Sequence, residues 1–280
     1  QVMARKPKKP AGILLSVIST VFCVIALGIP VGSNLIMSFS SSVSIQKFVF
    51  TTENYRQVFS STDTMISGIR HSLGLAAVSA VLGIVIGFCV AYVLTYSDFK
   101  LKKMIDMLTL VAMAVPGVVL GIGYIFIWNQ KWLSKIGLHL YGHPSILVLA
   151  SVAAAIPMIN RVLVGGMAKF HRPACGGTDA GSRFFTKIKT VLLPLLHNSS
   201  VSAVLAAFGG SVFNLAITTI LYPPNYSTLP VYISDSYNDL KFGYAAAATI
   251  IGGIFIIAIM LALEAILNAG YLRNKKKGMN

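Results

Sequence analysis

Six apolar runs, each of roughly twenty residues or more, constrain this chain more than any other feature of it. They cover about residues 11–37, 69–95, 105–128, 144–167, 200–222 and 242–268. A helix needs roughly 20 apolar residues to cross about 30 Å of hydrocarbon. Lipid offers no hydrogen bonds to backbone groups, so a spanning segment is either a helix or part of a closed barrel. These runs are continuous and lack the period of two that a lipid-facing strand requires, which excludes the barrel. Charged residues make up only 11% of the chain, against about 25% in soluble domains. The expected fold class is therefore all-α: a polytopic membrane protein with six transmembrane helices.

The formal charge of +15 raises nucleic acid as a partner, but the distribution of the charge argues against it. With six spans and an internal N-terminus, sixteen Lys and Arg residues fall on the inner side and five on the outer side. Arg70 and Arg161 remain at or within spans. The positive-inside rule then predicts that both termini are cytosolic, so the charge serves topology and no nucleic-acid partner is expected. Cys23 and Cys89 lie in apolar runs and Cys175 in a polar loop, which implies no disulfide framework. The first run is long and has no small-residue cleavage site, so it reads as a retained span rather than a signal peptide. The chain opens on Gln1; Met3 as the start and a preceding segment are both open.

Three parts are expected along the chain. Residues 1–68 hold a basic cytosolic tail, the first span and an outer segment. Residues 69–270 hold five spans with a cytosolic loop at 168–198, and 271–280 form a basic cytosolic tail. The outer segment contains FTTENYRQVF, Phe50 to Phe59, which reads as a short amphipathic surface helix. In the third span Pro116 and Gly117, followed by Gly121 and Gly123, predict a kink or an unwound stretch. Pro157 repeats the device in the fourth span, just before Asn160 and Arg161. These prolines are either ordinary kinks or the shapers of a substrate path. On the second reading the path also takes in Phe213 and Asn214 of the fifth span, because an amide is costly against lipid. Arg161 and Glu264 are charges within spans, and each either snorkels or pairs, or else lines the inner mouth of the path.

The loop from Cys175 to Pro194 reads CGGTDAGSRFFTKIKTVLLP. Its spacing resembles the coupling loop of type I permeases of binding-protein-dependent ABC importers, in which Glu-Ala-Ala, three residues, Gly, nine residues and Ile-x-Leu-Pro dock on an ATPase. Gly181, Val191, Leu193 and Pro194 stand at the family's positions. Cys175, Gly176 and Gly177 replace Glu-Ala-Ala, and Asp179 lies between the triplet and Gly181. HSLGLAAVSAVLG, AYVLTYSDFKLKK and AVPGVVLGIGY follow the same family's order, so the resemblance runs from Arg70 to Leu267. LYPPNYSTLPVYI, Leu221 to Ile233, is similar to the permeases for ferric iron and 2-aminoethylphosphonate.

The resemblance implies a permease subunit that has no cofactor of its own. Two cytosolic ABC ATPase subunits would bind ATP, a second permease chain would complete the path, and an extracytoplasmic binding protein would deliver the substrate. The location it implies is a bacterial inner membrane. Within the loop, Phe184 and Phe185 would plug an apolar groove on the ATPase, flanked by Arg183, Lys187 and Lys189. Losing the family's Glu at Cys175 points to a heterodimer with a better-matched partner. Ferric iron leads among the substrates, with 2-aminoethylphosphonate, polyamine, thiamine or an oxyanion as alternatives.

The residues themselves point away from catalysis. His71, His139, His143, His171 and His197 are dispersed, with none at metal-ligand spacing on one helix. The sequence has no GxxxxGK[ST] phosphate loop. Two other classes stay open: a secondary transporter, which needs coupling-ion sites near the midplane, and a membrane scaffold or membrane enzyme.

Overall fold

The structure is a computed structural model that describes residues 9–41, 48–138, 140–170 and 192–277. The described residues are helical almost throughout, and the one bridge between extended segments joins Ser40 to Phe50. Among the described residues four helices are long and apolar enough to cross a membrane, and six spans result if each of two bent pairs is one span. This agrees with the six apolar runs.

Contacts divide the chain into two compact units, residues 1–62 with 233–253 and residues 63–232 with 254–280. In the first unit, α1 (Lys9–Cys23) continues through a π turn, Val24–Gly28, into α2 (Ile29–Ser38). This span presents Ile13, Leu14, Phe22 and Leu27 outward, with no residue of its most apolar window buried in the chain. The segment after it is held by polar and aromatic contacts. The Ser38 hydroxyl lies 2.8 Å from that of Tyr55, and Asn54 Nδ2 donates to the carbonyls of Ser38 and Ser40, each at 2.9 Å. Phe39 stacks on Phe50 at 5.4 Å. The amphipathic stretch predicted at Phe50 to Phe59 forms α3 (Glu53–Ser60), with Val58 turned inward.

The second unit is built around the helix Pro144–Met167, α8. Its helices are α4 (Thr62–Tyr96), α5 (Lys102–Ala114), α6 (Gly117–Trp128), the short α7 (Lys131–Lys135) and α8 (Pro144–Met167). After the undescribed stretch come α9 (His197–Val212) and α10 (Leu215–Leu221). The last two helices, α11 (Leu229–Asn238) and α12 (Phe242–Lys277), each contribute residues to both units. Helix association in lipid relies on close van der Waals approach of small residues, and α8 uses this twice. Gly83 and Gly87 of α4 receive Ile159 of α8, and Gly166 of α8 lies so close to Ser199 of α9 that a Cβ there would collide with the hydroxyl. Leu75, Ile146, Leu147, Ala150, Ile217 and Leu221 form a buried apolar cluster where α4, α8 and α10 meet.

The loop from Tyr222 to Thr228 is fastened to the start of α4. His71 stacks on Tyr226 at 4.0 Å and its Nδ1 lies 3.0 Å from the Ser227 carbonyl, while the Ser72 hydroxyl accepts from the Leu229 amide at 2.9 Å. Burial pushes the Tyr226 phenol above its usual range and the nearby Arg70 charge opposes this, so Tyr226 is a neutral hydroxyl at ordinary pH.

Candidate functional site: two broken spans and a polar cluster

Two spans are interrupted, for different local reasons. In the third span α5 ends at Ala114, and Val115 and Pro116 are both extended, with ψ of 121° and 139°. Proline has no amide hydrogen and pushes the residue before it out of the helical region. The chain turns by 108° before α6 begins at Gly117, where Leu120 N bonds Pro116 O at 3.1 Å. The predicted break at Pro116-Gly117 is therefore present.

The fifth span bends by 49° between α9 and α10 without any proline. Asn214 supplies the break. Its backbone is extended, at φ −75° and ψ 91°, and its Oδ1 accepts from the Ile217 amide at 3.1 Å. A side-chain acceptor of this kind caps a new helix, because the first amides of a helix have no partner inside it. Thr218 adds a hydroxyl bond to the Asn214 carbonyl.

At Pro157 the span is not unwound. The proline lies buried inside α8, which runs unbroken from Pro144 to Met167. The expectation of an interruption there is corrected: the neighbouring helices pack α8 on several sides, and that packing holds a proline-containing helix together.

The two breaks face one another. A Cβ on Gly117 would meet Ala216 at 3.0 Å and Ile217 at 3.5 Å, and one on Gly121 would meet Ile220 at 3.0 Å. The four-residue spacing of Gly117 and Gly121 sets both on one face of α6, so α6 lies against α10 directly after the Asn214 cap. Beside it, a cleft of about 150 Å³ opens between α8 and α9, lined by Ser151, Ala154, Ala155, Met158, Ala206, Gly210, Ser211 and Asn214. The Ser151 hydroxyl is buried without a hydrogen-bond partner among the described residues. The cleft thus brings Asn214 together with the turn of α8 before Asn160, while Phe213 stands half exposed.

Asn160 and Arg161 belong to a second grouping. Arg161 Nη2 lies 2.8 Å from Asp106 Oδ1, and it also donates to the Asp106 carbonyl and to Thr109 Oγ1, each at 3.3 Å. Asn160, fully buried, donates to the same Thr109 hydroxyl at 3.4 Å. Arg161 is therefore paired across helices, and Asp106 and Thr109 are site residues that sequence reasoning missed. The available signal was one acidic residue in the third run and one basic residue in the fourth, each near the end bordering a basic loop. Glu264 is exposed and makes no ion pair among the described residues.

Of the coupling-loop positions, Cys175, Gly176, Gly177, Asp179, Gly181, Phe184, Phe185 and Val191 lie outside the described residues. Leu193 and Pro194 form a single exposed turn between the buried Leu192 and Leu196. Tyr96 at the end of α4 donates to the Met167 carbonyl at 3.0 Å, and His197 Nε2 lies 3.2 Å from Asn268 Oδ1. No group of His, Cys, Asp or Glu among the described residues is arranged to hold a metal ion.

The chain as a whole is similar to known transport proteins. The chain is 24% identical over 220 residues to the ferric transport system permease protein FbpB of Actinobacillus pleuropneumoniae, covering 77% of this chain and 31% of the relative. It is 25% identical over 258 residues to the spermidine/putrescine transport system permease protein PotC of Escherichia coli K12, covering 90% and 91%. Its homologues are ABC importer permeases. The chain spans about a third of the length of FbpB and nearly all of PotC. A protein of Salmonella paratyphi A assigned to 2-aminoethylphosphonate transport, PhnV, is 24% identical over 95% of the chain. No family model matches the chain. Among solved structures, a chain of a bacterial ABC transporter involved in the import of the acidic polysaccharide alginate superposes with a TM-score of 0.68 at 16% identity, covering 95% of this chain and 96% of that one. The fold is thus that of ABC importer permeases, and the homologues are transport subunits rather than enzymes.

Proposed function

We propose that this chain is one permease half of an ATP-driven, binding-protein-dependent importer. The observation that carries this reading is the meeting of two broken spans beside a cleft with hydroxyl and amide groups, in a chain that aligns with nearly the whole of PotC. Irregular backbone at membrane depth is tolerated where it packs on protein or lines a hydrated path. The cleft at Asn214 is one wall of that path, and Pro116-Gly117 and Asn214 form the mobile joints around it. ATP binds to cytosolic partner subunits and the chain holds no cofactor. The loop at 168–198 receives the ATPase, both termini are cytosolic, and a second permease, favoured as a different chain by Cys175-Gly176-Gly177, supplies the opposite wall.

Ferric iron is the leading substrate, on the similarity to FbpB and on the Leu221 to Ile233 segment. The relatives also include permeases named for polyamine, phosphonate and molybdate or tungstate. The test is uptake into right-side-out vesicles carrying the complete transporter, with ATP enclosed and the binding protein outside, using radiolabelled ferric citrate, spermidine, 2-aminoethylphosphonate and molybdate. One probe accumulates only when ATP and its binding protein are present. Uptake that follows an ion gradient and ignores ATP would instead establish the secondary-transporter class.

A further inference from the structure

The two halves of the third span are held by opposite physics. The second half, α6, is clamped to α10 by apolar contact at Gly117 and Gly121. The first half, α5, has no buried residue at all. Met104, Met107, Leu108, Val111 and Met113 are exposed, and α5 meets α8 through Asp106 and Thr109, three residues apart on one face. Between the halves lie two extended residues and a 108° turn, so no helical hydrogen-bond ladder couples them.

We propose that Asp106 and Arg161 form a polar latch that holds α5 against α8, and that the latch opens during the transport cycle. The proposal rests on the reading of the chain as an ATP-driven permease. An ion pair is many-fold stronger in a low-dielectric setting than in water. The Arg161 and Asp106 side chains are 31% and 45% exposed in the isolated chain, so the pair stands where a change in its surroundings reaches it. Dry, the pair fixes α5; once water enters, it weakens. The closed arrangement is also incompletely satisfied. Arg161 Nε and Asn160 Oδ1 are both buried without a partner among the described residues. A buried donor and acceptor left unpaired favour leaving this arrangement when water becomes available. The apolar clamp on α6 has no such dependence, so the motion divides at Val115-Pro116.

The test is reversible cross-linking in vesicles that carry the complete transporter. Cys23, Cys89 and Cys175 are first replaced by Ser, and Asp106→Cys and Arg161→Cys are then joined by a short bis-methanethiosulfonate. Cross-linked yield should fall about threefold or more when the non-hydrolysable analogue AMP-PNP is added, as expected for a shift in a two-state equilibrium. Cross-linking should also block ATP-dependent uptake of the transported probe, and reductant should restore it. A yield indifferent to nucleotide, no cross-link under any condition, or full uptake while cross-linked would each overturn the latch. If the double variant fails to assemble, Thr109→Cys leaves both charges in place. Its labelling by an impermeant maleimide should rise about threefold with AMP-PNP, and unchanged labelling overturns the latch as well. The unsubstituted transporter serves as the control. If its uptake depends on ATP while the cross-linking results are flat, the latch alone fails; if it shows no ATP dependence, the permease reading fails too.

Discussion

Ile159 sits across two glycines of α4, and the contact distances rank their substitutions. An alanine Cβ at position 87 would lie 2.5 Å from Ile159 Cγ2 and 3.2 Å from its Cβ. Ordinary carbon contacts are about 3.5–4.0 Å, so roughly 1 Å must be found. A β-branched side chain in a helix has one strongly preferred χ1, and Cγ2 cannot swing aside without leaving it. Overpacking of this kind costs about 1–3 kcal/mol. At position 83 the new Cβ would lie 2.8 Å from Ile159 Cδ1, the free end of the side chain, and 3.8 Å from Ala155 Cβ. Moving Cδ1 costs about 0.5–1.5 kcal/mol even off its rotamer, and the helix gains about 1 kcal/mol when Gly becomes Ala. Gly83→Ala is therefore near neutral and Gly87→Ala destabilising. Thermal unfolding of the purified protein in detergent measures both, and rescue identifies the atoms. Ile159→Ala removes Cγ2 and should relieve Gly87→Ala, giving a non-additive cycle. Ile159→Val keeps Cγ2 and should not. Equal rescue by Val and Ala, or a neutral Gly87→Ala, would refute the reasoning.

Asn214→Leu should lower ATP-dependent uptake and cost about 1 kcal/mol through loss of the α10 cap, whereas Asn214→Asp and Asn214→Ser should keep the stability. Full uptake by the Leu variant would remove Asn214 from the path. Leu240 closes α11 with a positive φ of 62°, and Leu240 N→Tyr237 O and Lys241 N→Ser236 O complete the capping pattern that normally carries glycine. Leu240→Gly should raise stability by about 1 kcal/mol, read as a higher unfolding temperature; a lower one would contradict it. Gly181→Asp should abolish co-purification of the ATPase while leaving the chain in the membrane, and retained association would sink the docking assignment. Cysteines introduced at positions 4 and 56 should label from the inside and the outside of intact cells respectively, and the reverse would invert the topology.

The sequence by itself determined what depends only on a residue and its near neighbours. The number of spans and their limits follow from the length of each apolar run against a hydrocarbon layer that accepts no unpaired backbone. The break at Pro116 follows from a missing amide hydrogen and a clash with the residue before it. Tertiary structure decided the rest. Pro157 offers the same local chemistry, yet it stays within a continuous helix because α8 is packed on several sides. Asn214 breaks the fifth span by turning its own amide to a backbone donor, a choice open to any asparagine and settled here by where α10 docks. The partnership of Arg161 with Asp106 joins residues 55 apart in the chain. Only the placement of α5 beside α8 makes them neighbours, because two isolated charges in adjacent spans carry no local signal of which face each will present.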